Sequence, residues 1–358
     1  MVNALPMYKR PGFIALAVAI LLFLVFTQSV AGTIGFALIF GIPYFCMNPL
    51  PPYATLQERI GHYVFLAICT IIFIFLITPI LVIMPLSFNS EPYFSFTEGM
   101  LNFDPDAYSM RWYADIFRFG MTAPDATEGW WADVWNNATW VRAFRNSFFL
   151  AITSTLLATT LGTLAALGLS RPEMPFRSAI TSLLISPMIV PLVITATGMF
   201  FFYGGTLQGV IPFYPEGLAK TYLGLTLAHA TLGVPFVIIT VTATLTGFDR
   251  SLIRASQGLG ASGFTTFRRV IMPLILPGMI SGALFAFITS LDEVVAVIFM
   301  ADVDQRTIPR QMFSGLREQI SPTILAVATI LVILSIILLT TVELLRRRSE
   351  RLRGMSPG

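Results

Sequence analysis

The chain has 358 residues, 55% of them hydrophobic and only 11% charged, with a mean hydropathy of +0.77 and a formal net charge of +3. A soluble domain carries about 25% charged residues, so this composition excludes an ordinary soluble protein and points to an all-α polytopic membrane protein. The only lysines, Lys9 and Lys220, both lie outside any glycine-rich phosphate-cradling loop. Such a loop needs its glycines and its lysine together, so the chain is not expected to hydrolyse ATP by that route.

Crossing a bilayer core of roughly 30 Å takes about 20 apolar helical residues. The first candidates, 12–28 and 30–47, predict an N-terminal apolar hairpin within a segment 1–48. A cleavable signal peptide competes for that stretch, because Lys9-Arg10 gives a basic start and Ser29-Val30-Ala31 a small-x-small site. Six further runs follow at 62–86, 147–170, 178–203, 222–246, 278–300 and 322–345. They divide the chain into a first core helix within 49–86, a long loop 87–145, a helical core 146–346 and a basic tail 347–358.

The 87–145 loop is acidic and rich in tryptophan, with Trp112-Tyr113, Trp130-Trp131, Trp135 and Trp140. A loop this long is functional or disordered as a rule. Its aromatic side chains fit either an interfacial belt or a docking surface, for which Trp112 and Tyr113 are the candidates. Arginine, by contrast, gathers in 171–177, in 247–277 and in 346–353. With six alternating spans these three segments share one side, which the positive-inside rule makes cytoplasmic. The acidic loop then lies outside and the C-terminus inside. The arginine tail also fits anchorage on anionic lipid.

Residues 251–277 read SLIRASQGLGASGFTTFRRVIMPLILP, a polar segment between two apolar runs. This stretch resembles the coupling loop of binding-protein-dependent ABC importer permeases, which carries Glu-Ala-Ala, then three residues, Gly, nine residues and an Ile-x-Leu-Pro ending. Here Arg254-Ala255-Ser256 stands at the triplet, Gly260 at the glycine and Pro273 at the proline, with Arg for Glu, Ser for Ala and Met272 for Leu. Arg111-Trp112-Tyr113, Arg145-Asn146-Ser147, Pro187 to Pro191, Ser290 to Val295, Arg306-Thr307-Ile308-Pro309 and Ile320 to Thr323 are similar to the spermidine/putrescine-type branch. The resemblance covers roughly 60–345 and leaves 1–48 without a counterpart in the six-helix form.

The resemblance implies a six-helix type I permease core in a bacterial inner membrane. Its partners would be a second permease subunit, a cytoplasmic ABC ATPase dimer and an extracytoplasmic solute-binding protein that delivers a small polar, cationic, polyamine-like solute. It also implies that a short helix near 252–259 receives the push of the ATPases. Arg254, Ala255, Ser256, Gly258, Gly260 and Pro273 are the candidate coupling residues, the glycines allowing sharp turns and Pro273 starting the next helix. Neither a cofactor nor a metal is expected, and nucleic acid is not an expected partner.

Three ionisable residues stand inside apolar runs. Asp292 and Glu293 are pathway candidates, because intramembrane charge usually faces the bundle interior or a wet path. His229 is a third, weighed against a plain hydrogen-bonded helix contact. Two rival functions remain at this level: an ion-coupled secondary transporter using Asp292 and Glu293, and a membrane scaffold in which the acids only lock helices together.

Overall fold

The computed structural model describes residues 55–352 apart from 172, 215, 247, 248, 250, 319 and 320. The expected hairpin at 1–48 and the end of the basic tail lie outside the described residues. Among those described there are helices and one isolated bridge, Asn89 with Tyr108, and no strand. Among the described residues five helices are long and apolar enough to cross a membrane, or six if a bent pair counts as one span.

The chain divides into two compact units, 1–85 and 86–358. In the first, α1 (Leu56–Leu86) starts at a reciprocal cap. The Glu58 amide donates to the Thr55 hydroxyl at 3.3 Å, and the Thr55 amide to the Glu58 carboxylate at 2.8 Å.

In the second unit, after single turns at Glu98–Leu101 and Pro105–Ala107, α2 (Arg111–Arg118) and α3 (Trp130–Asn137) precede the long α4 (Thr139–Leu169). The apolar run at 178–203 is not one straight helix. It breaks into α5 (Arg177–Ile189) and α6 (Leu192–Phe201, continued by a π turn to Thr206), bent by 104°. The cause is local: Val190 precedes Pro191, which disfavours the helical region for it, and its backbone is extended at φ −69°, ψ 137°.

Next come α7 (Tyr222–Thr246), the short α8 (Ser251–Gly258) and the thirty-residue α9 (Gly263–Asp292). Then α10 (Val295–Met300), α11 (Ile308–Glu318) and α12 (Thr323–Leu352) complete the chain.

The core is a three-helix contact of α4, α7 and α9, with Ala158, Ala166, Ala230, Val237, Val241, Ile275 and Ala286 buried together. Val237 is wedged between two glycines. A Cβ at Gly162 of α4 would stand 2.6 Å from the Val237 Cβ, and one at Gly282 of α9 would stand 2.8 Å from its Cα. Small residues here let the backbones approach closely, which is how helices gain packing where lipid is as apolar as leucine.

A second cluster lies at the N-terminal end of α4. Trp112, Ile116, Trp140, Ala143, Ile308, Ile324 and Val327 pack α2, α4, α11 and α12 together. Asn146 is 3% exposed, and its amide donates to the carbonyls of Asp304 at 2.8 Å and Arg306 at 3.0 Å while its oxygen accepts from the Tyr222 hydroxyl at 3.0 Å. Next to it the Ser147 hydroxyl accepts the Ile308 amide at 2.8 Å, and Arg142 pairs with Asp304 at 2.5 Å. The Asn-Ser dipeptide is therefore a clamp on the 302–308 loop.

Candidate functional site

The polar segment between α7 and α9 folds as expected into a short helix, α8, one residue earlier than the predicted 252–259. Asp249 opens it, accepting the Ser251 amide at 2.8 Å and its hydroxyl at 2.7 Å. The Ser251 hydroxyl, then its amide, hold the Asp249 carboxyl below its ordinary value, and the Arg254 guanidinium adds to this.

The helix closes in a left-handed turn at Gly260, φ +80°. The Gly260 amide reaches the Gln257 carbonyl at 2.9 Å and the Ala261 amide the Ser256 carbonyl at 3.1 Å, the paired bonds of a Schellman cap. A side chain is rarely tolerated at that φ, which is the physical reason for glycine at this position. Gly258 and Gly263 do not share this role. Their φ values are not positive, and they lie at the end of α8 and the start of α9 with open space where a Cβ would stand.

Ser256 turns inward. Its hydroxyl lies 2.9 Å from that of Thr266, a residue 3% exposed in the first turn of α9. Arg254 and Ala255 are exposed, as are Leu252, Leu259 at 89% and Phe264 at 73%. So α8 is tied to α9 through Ser256, while Arg254 and Leu252 on it and Leu259 and Phe264 beside it stay exposed.

Pro273 is the second residue of the α-helical stretch Met272–Asp292, near a helix start as expected, but that stretch continues α9 from Gly263 through a π-helical turn at Phe267–Ile271. Proline has no amide to donate and its ring crowds the carbonyl of the preceding turn; the wider π turn makes that room without ending the helix.

Asp292 and Glu293 are not within one continuous helix either. The chain leaves α9 at Asp292, and Glu293 is extended at φ −72°, ψ 120°. Glu293 is 5% exposed and its carboxylate accepts the Ala296 amide at 2.8 Å, so it caps α10. Asp292 is exposed. The two acids thus have different surroundings.

His229 is 1% exposed and its Nδ1 lies 2.7 Å from the Ser290 hydroxyl, which in turn accepts the Ser154 hydroxyl at 3.0 Å. That chain joins α7, α9 and α4 through polar groups in an apolar core, the helix-contact alternative for this residue. The docking candidates fare similarly. Trp112 is 9% exposed with its indole donating to the Asn89 carbonyl at 2.7 Å, and the Tyr113 hydroxyl lies 2.7 Å from that of Ser87. Both hold the loop together, and the exposed aromatics on that side are others, among them Trp131 at 74% and Trp135 at 56%. Sequence alone offered no sign of the Asn89 partner, 23 residues away along the chain.

Comparison with known proteins sets these features in context. Residues 158–351 match the family model described as binding-protein-dependent transport system inner membrane component. The spermidine/putrescine transport system permease protein PotC of Haemophilus influenzae is 29% identical over 280 residues, 78% of this chain and 95% of that one. The putrescine transport system permease protein PotI of Escherichia coli is 28% identical over 260 residues, 72% and 82% of the two chains. A chain from the crystal structure of a bacterial ABC transporter involved in the import of the acidic polysaccharide alginate aligns with a TM-score of 0.58 at 15% identity, covering 82% of this chain and 99% of that one. At that identity the likeness concerns the fold.

Proposed function

The chain belongs to the family of binding-protein-dependent transport system inner membrane components, and on that premise we propose that it moves a small cationic, polyamine-like solute inward. It is a multi-pass permease of an ABC importer and not an enzyme; ATP is hydrolysed by a separate subunit. The proposed partners are a cytoplasmic ATPase dimer seated on α8, a second permease subunit completing the path, and an external solute-binding protein. In this orientation the 171–177 turn, α8 and the C-terminus are cytoplasmic, and the 87–138 region faces outward, in keeping with the arginine asymmetry.

The observation that carries the proposal is α8 itself: a capped, exposed helix at the root of the thirty-residue α9, with Arg254 and Leu252 exposed on it and Leu259 exposed just past its end. Such a helix fits the groove of a partner. ATP-driven closure there would bias a two-state bundle by differential contacts.

The test is reconstitution with and without the ATPase subunit. Uptake should require both ATP and the ATPase, and gradient-driven uptake by the permease alone would overturn the proposal. Arg254→Glu should lower ATP-driven uptake about tenfold, or roughly 1.4 kcal/mol of coupling. Unchanged uptake would remove Arg254 from the contact.

The polyamine class rests on the two relatives and on Asp292, the exposed carboxylate at the end of α9. We assign Asp292 to the pathway, while Glu293 and His229 hold structure. Asp292→Asn should raise the solute concentration for half-maximal uptake several-fold with ATPase assembly intact. An unchanged value would place Asp292 off the path. Binding of amines, amino acids and neutral solutes to the cognate receptor decides the solute class separately.

A further inference from the structure

On the side assigned outward, a cavity of about 350 Å³ opens where α2, the start of α4, α11 and the start of α12 meet. Its polar groups are Asp115, Gln311, Ser321 and Thr323, and its aromatic walls are Trp140 and Phe119. Among the described residues no cationic side chain lines it. The Thr323 hydroxyl donates to one oxygen of Asp115 at 2.6 Å and lies 2.9 Å from the Ser321 hydroxyl. Gln311 is 7% exposed and Thr323 1%, so the polar floor is built into the fold. Among the described residues the only ion pair is Arg142 with Asp304, so Asp115 has a hydroxyl partner and no ion-pair partner.

We propose that this cavity is a second binding site of the permease, for an organic ammonium group. A carboxylate at the start of α12 is stabilising there without a ligand. A helix-end carboxylate does not, however, require a roomy cavity walled by tryptophan and phenylalanine. An ammonium satisfies all parts together: its charge meets Asp115, its remaining donors meet Gln311 and Ser321, and its methylenes and charge lie against Trp140, where a cation over an aromatic face gains about 0.5–2 kcal/mol. A metal ion is a poorer fit, since a divalent cation wants six or more oxygens and the described residues hold no cluster of three or more His, Cys, Asp or Glu. The cavity deepens the polyamine reading above and rests on it for its outward orientation. There it would hold an amine at the mouth of the permease, apart from the external receptor.

The measurement is equilibrium binding of radiolabelled putrescine to the permease–ATPase complex in nanodiscs, with no solute-binding protein present. Saturable binding is expected, displaced by butylamine and not by 1,4-butanediol. Asp115→Asn should weaken it at least tenfold. Asparagine still accepts the Thr323 hydroxyl, so the thermal midpoint without ligand should stay in place while the putrescine-induced rise in that midpoint disappears. Absence of saturable binding, equal binding by the Asp115→Asn complex, or displacement by butanediol would each overturn the site. The two proposals fail separately. Amine uptake without Asp115-dependent binding sinks the site alone, and Asp115-dependent binding with no amine uptake sinks the transported class alone.

Discussion

The two ends of the α4–α7–α9 core differ in kind. At the end assigned outward, side chains close on the chain itself: Asn146 spans α4, α7 and the 302–308 loop, Ser147 takes the amide that opens α11, and Trp112 is anchored on Asn89. At the other end, α8 has its own caps and one side-chain tie to α9, while Leu259 and Phe264 stand 89% and 73% exposed. The first end ties its elements together by side-chain hydrogen bonds that run between distant parts of the chain, although Arg306 Nε and Thr307 Oγ1 have no partner among the described residues and Trp131 and Trp135 stay exposed. The second end has the Ser256–Thr266 tie and exposed apolar side chains beside it. A segment whose backbone is fully capped but whose apolar side chains stay in solvent is preformed for a partner, and that distinction marks which end receives force.

The sharpest test of this contrast is at the closed end. Asn146→Ala removes the donor to the Asp304 and Arg306 carbonyls and the acceptor of the Tyr222 hydroxyl, which keeps only a long contact of 3.5 Å to the Asp304 carbonyl. At about 1–3 kcal/mol for a group left unsatisfied, a loss of about 2 kcal/mol is expected. It should appear as a clear fall in the thermal midpoint and in membrane yield. A midpoint equal to the wild type would show that the clamp is not needed.

At the open end the same kind of change should act on function and spare the fold. Gly260→Ala forces a Cβ into the left-handed region at roughly 1–2 kcal/mol, borne by α8 alone. Uptake should fall several-fold with the thermal midpoint unmoved, and a lowered midpoint would mean that α8 is part of the core. The smallest effect concerns Asp249. Its carboxyl is held below the ordinary value of 3.8, so its cap contributes fully above that pH and is lost as pH falls through the lowered folded value. Amide exchange at Ser251 and Leu252 should therefore be flat from pH 7 down to about 4, after correction for intrinsic rates, and should rise only below that. Protection lost near neutrality would contradict the cap.

Much of this was legible in the residues. The spans at 62–86, 147–170, 222–246 and 322–345 appear as helices because long apolar runs admit few alternatives in a bilayer. The Gly260–Pro273 spacing located α8 to within a residue. What stayed hidden depended on contacts distant in sequence or on angles. Pro187 and Pro191 announced a disturbance in 178–203, but not that Val190 would turn the chain through 104°. Hydropathy carried 278–300 as one run because Glu293 and its neighbours are too few to lower a window average, so the break that lets Glu293 cap α10 was invisible. Trp112 looked available for docking because nothing nearby in sequence names Asn89 as its acceptor. The Asp115 cavity was missed for the same reason, since Thr323 lies 208 residues away.

The π turn inside α9 has a mechanical corollary. At 1.5 Å per residue the thirty residues from Gly263 to Asp292 make a rod about 45 Å long, with Ser256 fastened to its foot and Asp292 at its tip. The extra residue in the turn at Phe267–Ile271 offsets the angular phase of the foot from that of the shaft, so the two can address different neighbours. A small tilt imposed at the foot then becomes a displacement of several ångströms at the tip, with only one loosened coil between them to absorb it.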